Sequence, residues 1–215
     1  MQAPAHSLSI ALRLNRIQAP VTNLGPGRRI ALWVQGCSLG CPGCMSPSMQ
    51  DRDGGRDVDV RTLAEGLAAA AAGFDGLTIS GGEPFQQYGA LMALCSYYKA
   101  LCPRTVLVYT GYRIAELERD HPERAFHKTL DYLIDGRYLR RRHDGRWRGS
   151  TNQRLYRFLT GQAVECNPWW SYTEKTMMLS VPDALHATMA GIPERGDLAR
   201  LRRAMRSSGI KMRLR

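Results

Sequence analysis

Between Ile30 and Ile134 short apolar runs alternate with helix-like ones, and this alternation limits the fold more than any composition does. Ile30-Ala31-Leu32-Trp33-Val34 is continuously apolar, as a strand buried on both faces of a parallel sheet reads. Val60 to Ala72 is rich in Leu and Ala and predicts a helix ending at Gly73. Leu77-Thr78-Ile79-Ser80 is the next strand. Tyr88 to Leu101 follows with Leu91, Leu94, Cys95, Tyr98 and Leu101 along one helical face. A strand at Thr105 to Tyr109, a helix from about Arg113 to Arg119 and a strand at Tyr132-Leu133-Ile134 complete the series. Strands joined through helices pair in parallel with right-handed crossovers, and ligands bind at their carboxyl ends. Those ends carry the loop after Val34, Gly81-Gly82-Glu83, Thr110-Gly111-Tyr112 and Asp135-Gly136. Upstream, the period of two in Ser7 to Ile17 predicts an edge strand. Asn23-Leu24-Gly25-Pro26-Gly27 reads as a tight turn and Asp51 to Asp59 as a polar loop.

The loop after Val34 is Gly36-Cys37-Ser38-Leu39-Gly40-Cys41-Pro42-Gly43-Cys44, three thiols spaced C-x3-C-x2-C. Three close thiolates can hold three corners of a 4Fe-4S cluster, and no fourth cysteine follows until Cys95. Structural sites close their coordination shell, whereas catalytic ones keep a position open, so the fourth iron is expected to bind a small molecule. A structural zinc loop and plain buried thiols are the alternatives; zinc lacks a nearby fourth ligand, because no histidine lies close to the triplet in sequence. Cys95 and Cys102 lie one heptad apart on the Tyr88 to Leu101 helix and at its end, and are read as core thiols.

With 215 residues and a 44% hydrophobic fraction, the chain suits one soluble domain, or one domain with an appendage. No apolar run approaches a membrane span and no signal-peptide block opens the sequence, so a cytoplasmic protein with reduced thiols and no membrane partner is expected. Thirty Lys and Arg against nineteen Asp and Glu give a formal charge of +11, with much of the excess in arginines after Arg140. Such a surface attracts an acidic protein, a nucleotide or nucleic acid, and a merely solvated arginine-rich surface accounts for it at least as well as a nucleic-acid site.

In Gly81-Gly82-Glu83-Pro84 two glycines let the backbone approach a ligand, Pro84 biases Glu83 toward an extended conformation, and the carboxylate can accept a hydrogen bond from an ammonium. The cysteine triplet followed by this stretch resembles the radical S-adenosylmethionine (SAM) superfamily. Asn23-Leu24-Gly25-Pro26-Gly27-Arg28-Arg29 and Leu32-Trp33-Val34-Gln35-Gly36-Cys37 resemble its glycyl-radical activating enzymes. Cys41-Pro42-Gly43-Cys44 is similar to the activators of anaerobic ribonucleotide reductase, as are Tyr109-Thr110-Gly111-Tyr112, Leu133-Ile134-Asp135-Gly136 and Gly149-Ser150-Thr151-Asn152-Gln153-Arg154. The likeness spans about Val21 to Leu159.

That resemblance implies an α/β fold, a partial β/α barrel of mainly parallel strands over residues 1–160, with a C-terminal α+β addition at 161–215 packed on it. It implies a 4Fe-4S cluster on Cys37, Cys41 and Cys44, and SAM chelating the open iron. By the family pattern Gly81, Gly82 and Glu83, with Pro84 after them, hold the methionine ammonium, and Thr110, Tyr112 and Asp135 line the neighbouring SAM pocket. It further implies an electron from a flavodoxin or ferredoxin, and a 5′-deoxyadenosyl radical that takes hydrogen from a glycine of a partner enzyme such as anaerobic ribonucleotide reductase. Gly25-Pro26-Gly27 would lie near the incoming loop. The alternative is a radical SAM enzyme acting directly on a peptide, nucleotide or small molecule. The later segment has Pro168-Trp169-Trp170, read as core aromatics, a strand at Met177 to Val181, a turn at Gly191-Ile192-Pro193 and a basic helix from Asp197 to Ser207 leading to Ile210 to Leu214. The compact reductase activators do not require it.

Overall fold

The computed structural model describes residues 9–144, 147–166, 177–180, 188–194 and 196–207. The Trp169-Trp170 pair and Ile210 to Leu214 lie outside them. In chain order the elements are β1 (Ala11–Val21), β2 (Arg29–Val34), β3 (Arg56–Asp59), α1 (Val60–Ala69), β4 (Gly76–Gly81) and α2 (Tyr88–Leu101). Then come β5 (Thr105–Tyr109), α3 (Ile114–Asp120), α4 (Ala125–Thr129), β6 (Tyr132–Asp135), β7 (Arg154–Leu159), β8 (Gln162–Cys166), β9 (Met177–Ser180), β10 (Thr188–Gly191) and α5 (Asp197–Ser207).

Among the described residues one eight-stranded sheet runs in the order β3-β1-β2-β4-β5-β6-β7-β8. Its centre, β2, β4, β5 and β6, is parallel. The flanking strands pair antiparallel. The architecture is therefore mixed α/β, with parallel order where the crossovers are helical. β1 is not the edge strand its alternation predicts: β3 pairs outside it, Ala11 against Asp59 through Leu14 against Arg56. Arg56-Asp57-Val58-Asp59 carries only one apolar side chain and so reads as loop. Its pairing comes from the backbone of β1, which no side-chain pattern announces. β7 and β8 extend the sheet to Cys166, and β9 pairs with β10 in a separate hairpin.

The strand pattern divides the core in two. Ile30, Leu32, Val34, Leu77, Ile79, Val106, Val108 and Leu133 pack with the buried sides of α1 and α2. On the other face Ala31 and Trp33 pack with Val21, Leu24, Met49 and Ala190, while Leu107 and Ile134 pack with Trp147 and Leu155. The β9–β10 hairpin reaches this second face: Asn23 Nδ2 donates to the Ala190 carbonyl at 2.9 Å, and Arg16 Nη2 to that of Met189 at 3.0 Å. Asp59 caps α1 by accepting from Thr62 N at 2.9 Å. Cys95 is fully buried within the core, where burial pushes its thiol up to about 12.

At the amino end of the parallel strands Arg29 is wholly buried. Its Nε donates to Thr78 Oγ1 at 2.6 Å, its Nη2 to the Leu77 and Thr105 carbonyls at 2.7 and 3.2 Å, and its Nη1 to Thr105 Oγ1 and the Pro26 carbonyl at 3.0 and 3.1 Å. One planar cation thereby ties β2, β4, β5 and the Gly25-Pro26-Gly27 turn together. Thr78 Oγ1 in turn donates to the Leu24 carbonyl at 2.7 Å. Desolvation pulls the Arg29 pKa down, opposed by nearby Tyr109, Tyr98, Tyr132 and Asp131. Removing this guanidinium leaves several buried acceptors unpaired, so Arg29→Met should cost about 3–5 kcal/mol of stability, read as a lower urea midpoint at unchanged slope. Arg29→Lys keeps the charge but not the five-donor fork and should recover only part of that loss.

Candidate active site

The cysteine loop leaves β2 and returns beside it. Gly36 N donates to the Met49 carbonyl at 2.9 Å and Cys37 N to the Gln50 carbonyl at 3.1 Å, so the two ends of the loop are zipped together. Gln35 reinforces them: its buried amide donates to the Ser48 and Asp51 carbonyls at 3.0 and 2.6 Å and accepts from Asn15 Nδ2 at 2.6 Å. Gln87 Nε2 bridges the carbonyls of Gln35 and Arg13 at 3.0 and 3.2 Å. Within the loop, Cys44 N closes a turn onto the Cys41 carbonyl at 3.0 Å, and Ser46 N points at Cys44 Sγ at 3.4 Å.

Cys37, Cys41 and Cys44 are free, partly exposed thiols. Burial pushes the Cys37 thiol up; Glu83, Cys41 and Cys44 act in the same direction, against one backbone hydrogen bond from Leu39. The three sulfurs are thus near enough to feel one another. Among the described residues no three His, Cys, Asp or Glu side chains gather into a ligand set for a single metal ion. A four-iron cluster asks for something wider, since each thiolate binds its own iron at a separate corner. Three soft sulfur donors on a loop anchored at both ends fit that demand.

The next two strand ends meet this loop. Gly82 N donates to the Val34 carbonyl at 2.8 Å and Glu83 N to the Gly36 carbonyl at 2.9 Å, extending the β2–β4 ladder into the loop. A Cβ at Gly82 would run into the Gly36 and Met49 carbonyl oxygens, so this approach admits only glycine. Glu83 is extended, at φ −122 and ψ 104, and Pro84 opens a 3-10 turn at Pro84–Gln87. The Glu83 side chain is 1% exposed. Its Oε1 accepts from Phe85 N at 3.0 Å and Thr110 Oγ1 at 2.8 Å, and its Oε2 from Gly111 N at 2.7 Å. Burial pushes its carboxyl up to about 7 despite these three donors.

Thr110 Oγ1 also accepts from Tyr112 N at 3.1 Å, and Gly136 N donates to the Tyr112 carbonyl at 2.9 Å, which brings the end of β6 to the same place. Asp135 points its Oδ2 at Ile114 N, 2.8 Å away, and its Oδ1 at Arg154 N, 3.3 Å away, clipping β6 to the start of α3 and to β7. Burial raises its pKa. The four strand ends therefore converge through direct hydrogen bonds, with Glu83 and Thr110 in contact and Asp135 one step removed.

Two participants were not singled out in the sequence. Gln86 Nε2 donates to Ser38 Oγ at 2.6 Å and to Tyr112 Oη at 3.0 Å, while its Oε1 accepts from Ser38 N at 3.0 Å, joining the cysteine loop to the end of β5. A glutamine after a proline carries no signal of such a role. Gln35 sits one residue before the loop, and its position immediately after an apolar strand was the available clue.

Residues 23–156 match a family model described as a 4Fe-4S single cluster domain. An anaerobic ribonucleoside-triphosphate reductase-activating protein of Vibrio cholerae is 33% identical over 143 residues, covering 62% of this chain and 90% of that protein. The protein of the same name from Pasteurella multocida is 33% identical over 155 residues, 67% of this chain and 98% of the relative. That of Enterobacteria phage T4 is 32% identical over 137 residues, 61% and 85%. β8, the β9–β10 hairpin and α5 lie beyond the matched model. By the model match and by near-complete coverage of these relatives, the chain belongs to the anaerobic ribonucleoside-triphosphate reductase-activating proteins, a radical SAM enzyme family of glycyl-radical activating type.

Proposed function

We propose that this chain cleaves SAM reductively to methionine and a 5′-deoxyadenosyl radical, and so installs a glycyl radical on an anaerobic ribonucleotide reductase. The observation that carries the reading is the anchored three-thiol loop at the meeting point of four strand ends, in a chain that covers 90% and 98% of two activating proteins. Cys37, Cys41 and Cys44 would hold a 4Fe-4S cluster that supplies one electron to the SAM sulfonium. The radical takes a hydrogen atom from a glycine Cα, giving 5′-deoxyadenosine and the glycyl radical. In this reading the central strands curve as a partial β/α barrel, residues 1–160 form the catalytic core and 161–215 an addition to it, and the protein works in the cytoplasm, where thiols stay reduced.

The chain's own groups bind and orient. Glu83 Oε2 takes one protein donor, and an oxygen of this kind has two lone-pair positions, so one is left for the ammonium of SAM. Gly81, Gly82 and Pro84 shape the backbone on which that carboxylate is held. Thr110, Tyr112 and Asp135 set the adjoining wall, Thr110 by fixing Glu83 and Asp135 by fixing the β6 end. The positive surface suits an acidic partner.

Anaerobic reconstitution with iron and sulfide, then dithionite and SAM, should yield four irons per chain and 5′-deoxyadenosine. Cys37→Ala, Cys41→Ala and Cys44→Ala should each lose the cluster absorbance and reduce 5′-deoxyadenosine to background; retention of full cleavage would remove the cluster assignment. With a reductase carrying deuterated glycine, deuterium should appear in 5′-deoxyadenosine, and its absence while SAM is still cleaved would point to a different radical acceptor.

Glu83 yields a further test, made before cluster loading. Because its folded pKa of about 7 lies above the ordinary 4.5, its contribution to stability is present below about pH 4.5 and lost as pH rises through 7. The full loss is about 3 kcal/mol. Glu83→Gln lowers absolute stability through its mismatched donors but should abolish this pH-dependent component, as measured by urea unfolding between pH 5 and pH 8.

A further inference from the structure

Arg137-Tyr138-Leu139-Arg140-Arg141-Arg142 carries four exposed arginines in six residues and no acidic one. This segment lies against the cysteine loop. Arg137 Nη1 comes within 3.5 Å of the Leu39 carbonyl oxygen, and the Arg140 Cδ sits 2.8 Å from where a Cβ on Gly43 would stand. Gly43 has φ +76, so both its backbone and its bare face suit glycine there. The backbone under these arginines is fixed: Leu139 N donates to Ser150 Oγ at 3.0 Å, Asn152 Nδ2 to the Arg137 carbonyl at 2.8 Å, and Thr151 N to the Arg142 carbonyl at 2.7 Å.

The surrounding charges do not neutralise it. Asp144, the next acid along the chain, pairs with Arg148. Glu83 is buried and turned to its three donors. The other flank of the loop is mixed in sign, with Asp51, Arg52 and Asp53, and with Arg13 paired to Asp57. One flank of a partly exposed thiol loop is thus strongly positive.

We propose that this arginine flank is the docking surface for an acidic one-electron carrier protein, the immediate electron donor to the cluster. The inference rests on the function proposed above and names a partner for the same site. The step is a bare electron transfer: the carrier is oxidised by one electron, the cluster is reduced by one, and no bond forms or breaks. Electron transfer weakens steeply with distance, so a donor must dock where the loop reaches the surface. Charges of one sign arranged there speed encounter with a partner of the other sign and orient it.

Reduced flavodoxin is the probe, and Arg141→Glu/Arg142→Glu the variant, since neither side chain belongs to the cysteine or Glu83 contacts. Stopped-flow reduction of the wild-type cluster by flavodoxin should slow markedly with salt, and the double variant should be roughly tenfold slower at low ionic strength, the two converging at high salt. Calorimetric binding of flavodoxin should weaken by about the same factor in cluster-free and loaded protein. Dithionite, which needs no docking, should drive SAM cleavage equally in both, and Arg141→Lys/Arg142→Lys should behave as wild type. Unchanged flavodoxin binding and reduction in the charge-reversed protein would overturn the proposal. So would a defect confined to dithionite-driven transfer from the reductase, which would assign the surface to the radical acceptor. A wild-type protein that leaves SAM intact under dithionite would instead sink the functional reading, while the binding measurement would still decide the docking surface.

Discussion

A single buried carboxylate sets the geometry of the site. Glu83 accepts from Phe85, Thr110 and Gly111, donors that come from its own turn and from the end of the neighbouring strand β5. A carboxylate taken out of water needs such partners, and the need holds the ends of β4 and β5 in one arrangement. Because the backbone of the same residue donates to the Gly36 carbonyl, the cysteine loop is referred to that arrangement as well. The side chain is costly to bury, which its raised pKa expresses, and this tension is what a group facing a cationic ligand would relieve.

Arg29 performs the complementary task at the opposite ends of the strands. Its fork reaches the carbonyls of Leu77, Thr105 and Pro26 without a carboxylate among its hydrogen-bond partners, so it is held by dipoles rather than by a counter-ion. The parallel sheet is thus pinned by an anion at its carboxyl end and a cation at its amino end. Between them lie apolar layers whose side chains alternate between the helical face and the Trp33 face.

The helical crossovers and parallel strands were legible because each apolar run is buried as its period requires. Tyr88–Leu101 and Thr105–Tyr109 match the sequence reading residue for residue. β3, β7 and β8 were not read as strands, since Arg56–Asp59 and Gln162–Cys166 have few buried side chains and owe their conformation to backbone pairing with a neighbour. α4 is five residues long, too short for a periodicity to show. At the site, spacing alone pointed to Cys37, Cys41 and Cys44, and glycine chemistry pointed to Gly82. The amide links of Gln35, Gln86 and Gln87 were hidden because a glutamine's partners depend on long-range folding.

The clamp at the mouth of the cysteine loop bears on how the protein matures. The bonds from Gly36 and Cys37 to Met49 and Gln50, and from Gln35 to Ser48 and Asp51, involve no sulfur. They draw on the sheet, which is complete without iron. Small metal-dependent domains order their ligands only as the metal arrives, so that assembly and folding are one event. Here the two are separable: the polypeptide reaches its native topology first, and inorganic iron and sulfide enter a cradle that already stands open, as a late step in biogenesis.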